Sequence, residues 1–425
     1  MNMGVVWFCR RSKLPVVIGL FLFVALLHAQ SSATDSRVKS EVLDKIASII
    51  KDKAFVPGID FSKWPDFLKE EKADLDDAKT DDEFQHAVNT ALHKFGASHV
   101  LLMTPRVAQS RKTGSTVGIG ISTQVAPEGL AVLRVVKDGP ADKAGIVPGD
   151  MIVEVDGKPI SGLRGLSGEI GSEVAIKVKH ESGKSEDYKI TRQRYSTTRS
   201  PELSWIDKDT AILKVYSFEA GYDRPLIASL ITQAQNAKNL IIDLRYNGGG
   251  AVSNLQHLLG MLIPEDKPLG AFIKKSTVTE YVAKTGGKPI DLAAIEQWTD
   301  NKFYGFHRED SPFFTGRVAV LVNKFSGSAS EIAAAALHDL IGAPIIGTKS
   351  AGAVLASIIV PATNGFMLQF PIEDYVTIKG VRLEGTGVSP DFEVPDSIVA
   401  PHDTKDTAID KAAEYFAGFG ARSEL

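Results

Sequence analysis

Three serines lie at a point where a hydrophobic run changes into an alanine-rich one. They are Ser326, Ser328 and Ser330, and they follow the strand-like run 318–322 and precede the helical run 331–340. Small neighbours let another backbone approach closely, and the free N–H groups at a helix N-terminus stabilise a developing oxyanion. The pattern therefore indicates a nucleophilic serine, although serine is also a preferred helix N-cap residue.

A three-glycine turn at 248–250 follows a second buried-strand pattern at 239–244. Glycine turns with positive φ at little cost and leaves its N–H uncovered. The turn can therefore supply an oxyanion donor from Gly248 or Gly249, opposite the N–H of Ala329. The turn carries neither phosphate-binding glycine pattern, GxxxxGK[ST] or GxGxxG, and a plain tight turn is the alternative.

Three motifs occur in a fixed order: Asp-Leu-Arg-Tyr-Asn-Gly-Gly-Gly at 243–250, Ser-Gly-Ser-Ala-Ser-Glu at 326–331 and Gly-Thr-Gly-Val-Ser-Pro-Asp at 385–391. In this order the chain resembles the tail-specific, or C-terminal-processing, serine peptidases of family S41. The tricorn core proteases and the interphotoreceptor retinoid-binding-protein-like modules are relatives of that family. The resemblance covers most of the chain after residue 29 and implies that Ser328 is the nucleophile.

The chain departs from this family at the base. Tail-specific peptidases usually pair their serine with a lysine in a Gly-Lys-Gly segment, and alignment of residues 347–353 with that segment puts Ala353 in the lysine position. The usual Ser-Lys dyad is therefore absent. Lys349 is a minor alternative, because it precedes the turn and would have to reach Ser328 from another direction.

A histidine and a glutamate resemble the replacement base of the tricorn-like branch. A serine hydroxyl needs a partner that accepts its proton, and histidine titrates in the useful range. Ser98-His99 resembles the Ser-His pair of that branch, and Glu384 matches the glutamate that orients the imidazole. By this resemblance Ser328, His99 and Glu384 form a triad. Taken singly, a histidine at the end of a helical segment is more often a capping or packing residue than a base, and Glu384 could equally be a solvated residue before a glycine turn. Their joint appearance with the missing lysine favours the triad.

Residues 1–29 have the pattern of an export signal: basic residues at 10, 11 and 13, then the apolar run 14–27. We therefore expect an exported protein, in the periplasm or another extracytoplasmic space. The alternative is an uncleaved membrane anchor, although the apolar run is short for a spanning helix. Cys9 is the single cysteine, so a cleaved chain would have no disulfide and no thiol chemistry.

Composition fits a globular protein of two or three domains: 425 residues, 44% hydrophobic, 24% charged, with a formal net charge of −4. No basic patch indicates nucleic-acid binding. The predicted chemistry needs no metal and no cofactor, and the sequence leaves the oligomeric state open.

Residues 37–110 predict an N-terminal helical domain, with Val42, Ile46 and Ile49 at helical spacing. Residues 115–195 resemble a PDZ domain, which holds an extended peptide at a sheet edge and captures its terminal carboxylate in backbone N–H groups. By this resemblance Val117, Gly118 and Ile119 form the peptide-binding loop. A packing role for this domain is the alternative.

Residues 200–425 predict an α/β core. Strand runs at 211–215, 240–244, 318–322 and 345–346 alternate with helical stretches. The resemblance implies an α/β (α+β) multidomain chain, with a crotonase-like α/β protease core, an inserted PDZ domain and an N-terminal helical domain.

The sequence thus predicts an exported serine endopeptidase that recognises a free C-terminus of a peptide or protein substrate through its PDZ domain. The alternative is a catalytically inactive protein of the same fold that binds peptides or a hydrophobic ligand.

Overall fold

The structure is a computed structural model that describes residues 35–160, 165–307, 311–395 and 406–420. The predicted export signal at 1–29 lies outside these ranges. In the ranges themselves, every helix is too short or too polar to cross a membrane.

The N-terminal region is helical and leads into one short strand. Its elements are α1 (Ser36–Lys53), a 3₁₀ helix (Phe61–Lys63), α2 (Trp64–Glu70), α3 (Lys72–Asp77), α4 (Asp81–His93), β1 (Leu101–Met103) and α5 (Pro105–Thr113). Thr80 begins α4 in a reciprocal capping box with Glu83. Helix α4 buries Phe84, Val88 and Leu92 on one face, which is the spacing of an amphipathic helix.

The second region is the β-rich domain expected at 115–195. Its elements are β2 (Ser115–Gly118), β3 (Ile121–Ala126), β4 (Gly129–Val135), α6 (Pro140–Lys143), β5 (Met151–Val155), β6 (Lys158–Pro159), β7 (Glu173–Lys179), β8 (Ser185–Thr191) and β9 (Gln193–Ser196). One antiparallel sheet has the order β3-β4-β5-β7-β8, with β6 beside β5, and β2 pairs with β9. Strand β3 lies at the edge of its sheet, as β-addition of a peptide requires.

The third region supplies the largest core. Its elements are β10 (Glu202–Trp205), β11 (Thr210–Lys214), α7 (Arg224–Ala234), β12 (Asn239–Asp243), α8 (Val252–Leu259), β13 (Pro268–Lys274), α9 (Lys275–Thr285), α10 (Leu292–Trp298), β14 (Phe303–Tyr304), β15 (Arg317–Val322), α11 (Ala329–Ile341), β16 (Ile345–Gly347), β17 (Ala356–Thr363), β18 (Phe366–Thr377), β19 (Phe392–Glu393) and α12 (Thr407–Gly420). The expected α/β alternation is therefore present.

One sheet of this region has the order β10-β11-β12-β15-β16-β19. Strands β11 to β19 of this sheet run parallel, and β10 is antiparallel. Helices α7, α8 and α11 bury apolar side chains against one face, and α12 packs on the other. A parallel sheet covered on both faces explains the continuous apolar runs seen in the sequence.

A second sheet joins the helical region to this core. The long strand β18 pairs with β1 and β17 along its first half and with β13 along its second half. The side chain of Asn89 in α4 clamps β1, because it accepts from Leu102 N at 2.7 Å and donates to Leu102 O at 3.1 Å. The segment between α4 and β1, which contains His99, is therefore fixed against the core.

The helical region also shares an apolar cluster with the β17–β18 hairpin. Val42, Ile46 and Ile49 of α1 are buried, as their spacing predicted, in the same cluster as Phe366 and Phe370 of β18. The helical region is thus packed on the core by side chains as well as by strand pairing.

A buried ion triad attaches the C-terminal helix to the central sheet. Arg245 bonds Asp243, at the end of β12, and Asp406, which caps α12 by accepting from two backbone N–H groups. Burial works to lower the pKa of Arg245, but the hydrogen bonds and charges of the two carboxylates raise it above its usual value. The guanidinium is therefore a permanent cation.

Replacing Arg245 with methionine should destabilise the protein by about 3 kcal/mol, because it leaves two carboxylates without their cation. Their side chains are 7% exposed in Asp243 and 22% exposed in Asp406. The matched control is Lys238→Met, whose partner Asp209 is one-third exposed, and that change should cost less than about 1 kcal/mol. Urea unfolding measures both. Equal losses in the two variants would contradict a stabilising role for the triad.

Candidate active site

Ser328 lies at the junction of β15 and α11 in an unusual backbone conformation. Its φ is +54° and its ψ is −118°, which a non-glycine residue rarely adopts. Ser326 and Ser330 are buried, and their hydroxyls donate to the carbonyls of Leu244 and Asn247 at 2.9 and 2.8 Å. Ser328 is half-exposed and lines a cavity, so it is the member of the cluster with access to a ligand.

The cavity has a volume of about 560 Å³. Ser328 and His99 both line it, together with Gly248 and Ala329. Both candidate residues lie in the described ranges, and no hydrogen bond joins the Ser328 hydroxyl to the His99 ring. Such bonds are often long in unliganded enzymes and tighten when substrate binds.

Two residues that line this cavity, Gly248 and Ala329, carry backbone N–H groups that are candidate oxyanion donors. Ala329 is the first residue of α11, where N–H groups lack helical partners, and Gly248 has no hydrogen-bond acceptor among the described residues. The Gly249 N–H, by contrast, donates to Asn247 Oδ1 at 2.9 Å. Of the two glycines that the sequence left open, Gly248 is therefore the one with a free donor.

Gly249 has a steric role instead. Its φ is +96°, and a Cβ atom at this position would lie 2.6 Å from Ser328 Cβ and 2.9 Å from Ala329 N. Contacts this short do not occur between real atoms, so only glycine lets the turn approach the serine and leaves the Ala329 N–H uncovered.

His99 also has a left-handed backbone, with φ of +58°. Its Nδ1 lies 2.7 Å from Ser98 Oγ, and Ser98 Oγ donates to Glu384 Oε2 at 2.8 Å. Because the hydroxyl has one hydrogen and donates it to the carboxylate, its oxygen must accept the Nδ1–H of His99. This arrangement leaves Nε2 of His99 unprotonated, as a general base requires.

Glu384 contacts the imidazole indirectly. The resemblance implied that this carboxylate orients the ring, and in the structure the Ser98 hydroxyl lies between the two groups. Glu384 also accepts from the backbone N–H groups of Ser98 and Val354, each at 2.8 Å. The carboxylate therefore holds the backbone beside His99 as well as the Ser98 hydroxyl.

An ion pair holds the segment that carries Glu384. Arg382 Nε donates to Asp374 Oδ2 at 2.8 Å, and Asp374 is fully buried in β18. Arg382 also forms an isolated antiparallel bridge with Val376. The glutamate therefore projects from a segment attached to the same strand that pairs with β1.

Three effects set the pKa of His99. Burial lowers it, the nearby carboxylate of Glu384 raises it, and the guanidinium of Arg111 lowers it again. Arg111 lies on α5, where it forms an ion pair with Glu219 and donates to Gln369 Oε1 at 3.2 Å. The net effect is a pKa below the usual value, so the ring is neutral at pH 7.

Glu331 is a residue that the sequence reasoning missed. Its fully buried carboxylate accepts from Ser328 N at 3.0 Å, Gly352 N at 2.7 Å, Ala353 N at 2.9 Å and Ser350 Oγ at 2.6 Å. Burial raises its pKa, and these hydrogen bonds oppose that rise. The Ser-x-x-Glu spacing of a capping box was a signal that would have found it.

The position of the usual catalytic lysine and that of the alternative base Lys349 lie in different surroundings. Ala353, aligned with the missing lysine, lies beside the serine, and its carbonyl accepts from Ser328 N at 2.8 Å. Lys349 is exposed and is absent from the lining of the cavity. The geometry favours His99 over Lys349 as the partner of Ser328.

The loop expected to bind a peptide carboxylate lies in the β-rich domain. Val117 and Gly118 belong to β2, opposite Arg194 and Gln193 of β9, and the side chain of Ile119 is buried in the domain core. The structure holds no peptide, and the binding role of this loop stays a prediction.

Family models match two parts of the chain. Residues 209–394 match the model of Peptidase family S41, and residues 117–190 match that of the PDZ domain. A probable CtpA-like serine protease of Staphylococcus epidermidis is 27% identical over 290 residues, which cover 66% of this chain and 54% of that protein. The aligned part therefore spans about half the length of that relative.

Two further relatives agree with these matches. The carboxy-terminal-processing protease of Bartonella bacilliformis is 29% identical over 297 residues, covering 66% of this chain and 62% of that protein. The solved photosystem II D1 C-terminal processing protease has a TM-score of 0.52 and 21% identity, over 84% of this chain and 93% of that one, which shows a shared fold. Residues 209–394 are therefore similar to the core of peptidase family S41, and residues 117–190 are similar to a PDZ domain.

Proposed function

We propose that this protein is a serine endopeptidase that cleaves peptide or protein substrates presented through a free C-terminus. The observation that supports this most is the shared cavity of Ser328 and His99, with the imidazole held by Ser98 and Glu384. The export predicted from residues 1–29 would place the enzyme in the periplasm or another extracytoplasmic space.

In the proposed reaction, the Ser328 hydroxyl attacks the peptide carbonyl while His99 Nε2 accepts its proton. The oxyanion of the tetrahedral intermediate faces the N–H groups of Gly248 and Ala329. His99 then gives the proton to the leaving amine, and a water molecule cleaves the acyl-enzyme by the same route. Glu384 stabilises the imidazolium through the Ser98 hydroxyl. No step needs a metal or a cofactor.

The walls of the cavity support a preference for apolar side chains beside the cleaved bond. Phe272, Ile332, Val354 and Leu355 line it. Burying such a side chain contributes about 1.5 to 3 kcal/mol, which is the scale on which related substrates are discriminated.

A second candidate function is peptide binding without turnover. The Ser328 hydroxyl and the His99 ring are not hydrogen-bonded. This favours a peptide-binding function over an enzyme whose serine and histidine are already paired before substrate binds. The two functions differ in one chemical property, since only an activated serine reacts with a fluorophosphonate.

A fluorophosphonate probe should label the wild-type protein at Ser328, and Ser328→Ala should abolish labelling without unfolding the protein. Ser253→Ala is the matched control, because Ser253 is an exposed serine next to the cavity residue Val252. His99→Ala should slow labelling by about 10²- to 10⁴-fold, whereas Lys349→Ala should leave it unchanged. Mass spectrometry of the labelled peptide gives the site. Labelling that persists in Ser328→Ala would rule out the proposed nucleophile.

Removing the bridging hydroxyl with Ser98→Ala should lower kcat/KM by about 10- to 100-fold, the scale of one hydrogen bond to a charged group. Ser98→Thr keeps a hydroxyl on the same carbon and should retain most of the activity. Steady-state cleavage of a labelled peptide compares the two variants. If the alanine and threonine variants are equally active, Ser98 does not connect Glu384 to His99.

The acid limb of the pH profile should follow the pKa of His99. A neutral ring is the base, so kcat/KM should be maximal above that pKa and fall as pH decreases through it, and this fall should occur below the ordinary pKa of histidine. Arg111→Gln removes a charge that lowers this pKa and should move the limb to higher pH. Glu384→Gln removes a charge that raises the pKa of His99 and should move the acid limb to lower pH. Shifts in the same direction in both variants would contradict His99 as the titrating base.

A further inference from the structure

A second cavity, of about 640 Å³, lies between the PDZ domain and the protease core. We name it the arginine pocket, because four arginines line it: Arg111, Arg134, Arg199 and Arg245. Two of them are neutralised within the protein, Arg111 by Glu219 and Arg245 by the carboxylates of the ion triad described above. The other two decide the charge of the pocket.

Arg134, on β4 of the PDZ domain, is half-buried, and its guanidinium has neither an ion pair nor a hydrogen bond to any residue in the described ranges. Burial lowers its pKa and the neighbouring charge of Arg199 lowers it further, while Tyr216, Tyr195 and Glu202 oppose the shift in part. A half-buried cation beside a second cation is unfavourable unless an anion compensates it. Glu202 compensates this charge only through space, without an ion pair, so an added carboxylate would be attracted to the cation.

Arg199 is held in place by an aromatic ring. Its guanidinium carbon lies 3.2 Å from the centroid of the Tyr216 ring, and its distance to Glu202 is 4.0 Å. Glu202 is 61% exposed, so solvent screens its charge. A stacked guanidinium is pre-organised and loses little entropy on binding a planar carboxylate.

The arginine pocket adjoins the cavity that contains Ser328 and His99. Arg111, Ser217 and Glu219 line both. Between the last two, Phe218 forms a bridge with Gly250, in the same turn as the proposed oxyanion donor Gly248. The two cavities are therefore close enough for one extended peptide to contact both.

We propose that Arg134 and Arg199 bind a carboxylate of the substrate peptide, so that the enzyme selects substrates by a negative charge a few residues from the cleaved bond. This inference rests on the proposed peptidase function and names the class of its substrates. The carboxylate comes either from the chain end or from an Asp or Glu side chain. Two guanidinium groups suit it because each offers paired N–H donors to two oxygens.

The test measures peptide binding to the full chain with Ser328→Ala, so that turnover plays no part. The probes are versions of one fluorescein-labelled decapeptide of Ala, Ser and Leu: with a free C-terminus, with a C-terminal amide, and amidated with one interior Asp or Asn. Fluorescence anisotropy gives the Kd of each. We expect a carboxylate to lower the Kd by about tenfold. If the free C-terminus supplies it, the free-acid peptide binds more tightly than the amide; if a side chain supplies it, the Asp peptide binds more tightly than the Asn peptide.

The variants assign the effect to the pocket. Arg134→Gln with Arg199→Gln should reduce the discrimination to less than about twofold, whereas Arg134→Lys with Arg199→Lys should keep part of it, since charge is retained. Arg37→Gln, an exposed residue of α1 with the same charge change, should bind as the parent does. Circular dichroism checks that each variant is folded.

Equal binding of charged and uncharged peptides to the parent chain would overturn the proposal. Discrimination that survives in the double glutamine variant would also overturn it and would assign the carboxylate to the PDZ loop at 117–119. Both outcomes are separate from the failure of the peptidase function, which would appear as absent fluorophosphonate labelling of wild-type protein.

Discussion

The site depends on the buried carboxylate of Glu384, which connects three distant parts of the chain. It accepts hydrogen bonds from Ser98 N, Ser98 Oγ and Val354 N, each at 2.8 Å. These bonds fix the end of the helical region, which carries His99, to the core, which carries Ser328. Because a buried carboxylate is costly unless it is well bonded, the fold is most stable when the segments that carry these groups are assembled together. The same interaction therefore positions the imidazole and stabilises the contact between the two regions.

A second buried carboxylate, that of Glu331, stabilises the backbone around Ser328. It accepts hydrogen bonds from Ser328 N and from donors in residues 350–353, and so connects the serine to that neighbouring segment. This support is needed because Ser328 and His99 have positive φ values, which cost about 1 to 3 kcal/mol each in a non-glycine residue. Strain of this kind persists only where surrounding hydrogen bonds over-determine the conformation. Its presence at both proposed reactive residues, beside Gly249, is typical of a pre-organised site.

The helical region is thus part of the proposed catalytic unit, and the PDZ domain adjoins it. Strand β1 and the apolar cluster of α1 and β18 fix the helical region to the core. The arginine pocket lies where the PDZ strands meet that core, and it shares lining residues with the cavity of Ser328 and His99. The proposed binding of a peptide and the proposed attack on it would therefore occur in adjoining spaces, which would limit the entropy lost in bringing the peptide to the serine.

The sequence alone determined the features that depend on local patterns. Apolar runs and glycine turns predicted the strands and helices of the α/β core, and the order of three motifs indicated the family. The pattern of residues 115–195 indicated the PDZ domain, and the alignment of residues 347–353 indicated a serine without its usual lysine. It also selected Ser328, His99 and Glu384 as candidates. The insertion of Ser98 between Glu384 and His99, the choice of Gly248 over Gly249 as free donor, and the unpaired charge of Arg134 were decided only in the tertiary structure. Each depends on hydrogen bonds, or their absence, between residues far apart in the chain, and local spacing carries no information about such contacts.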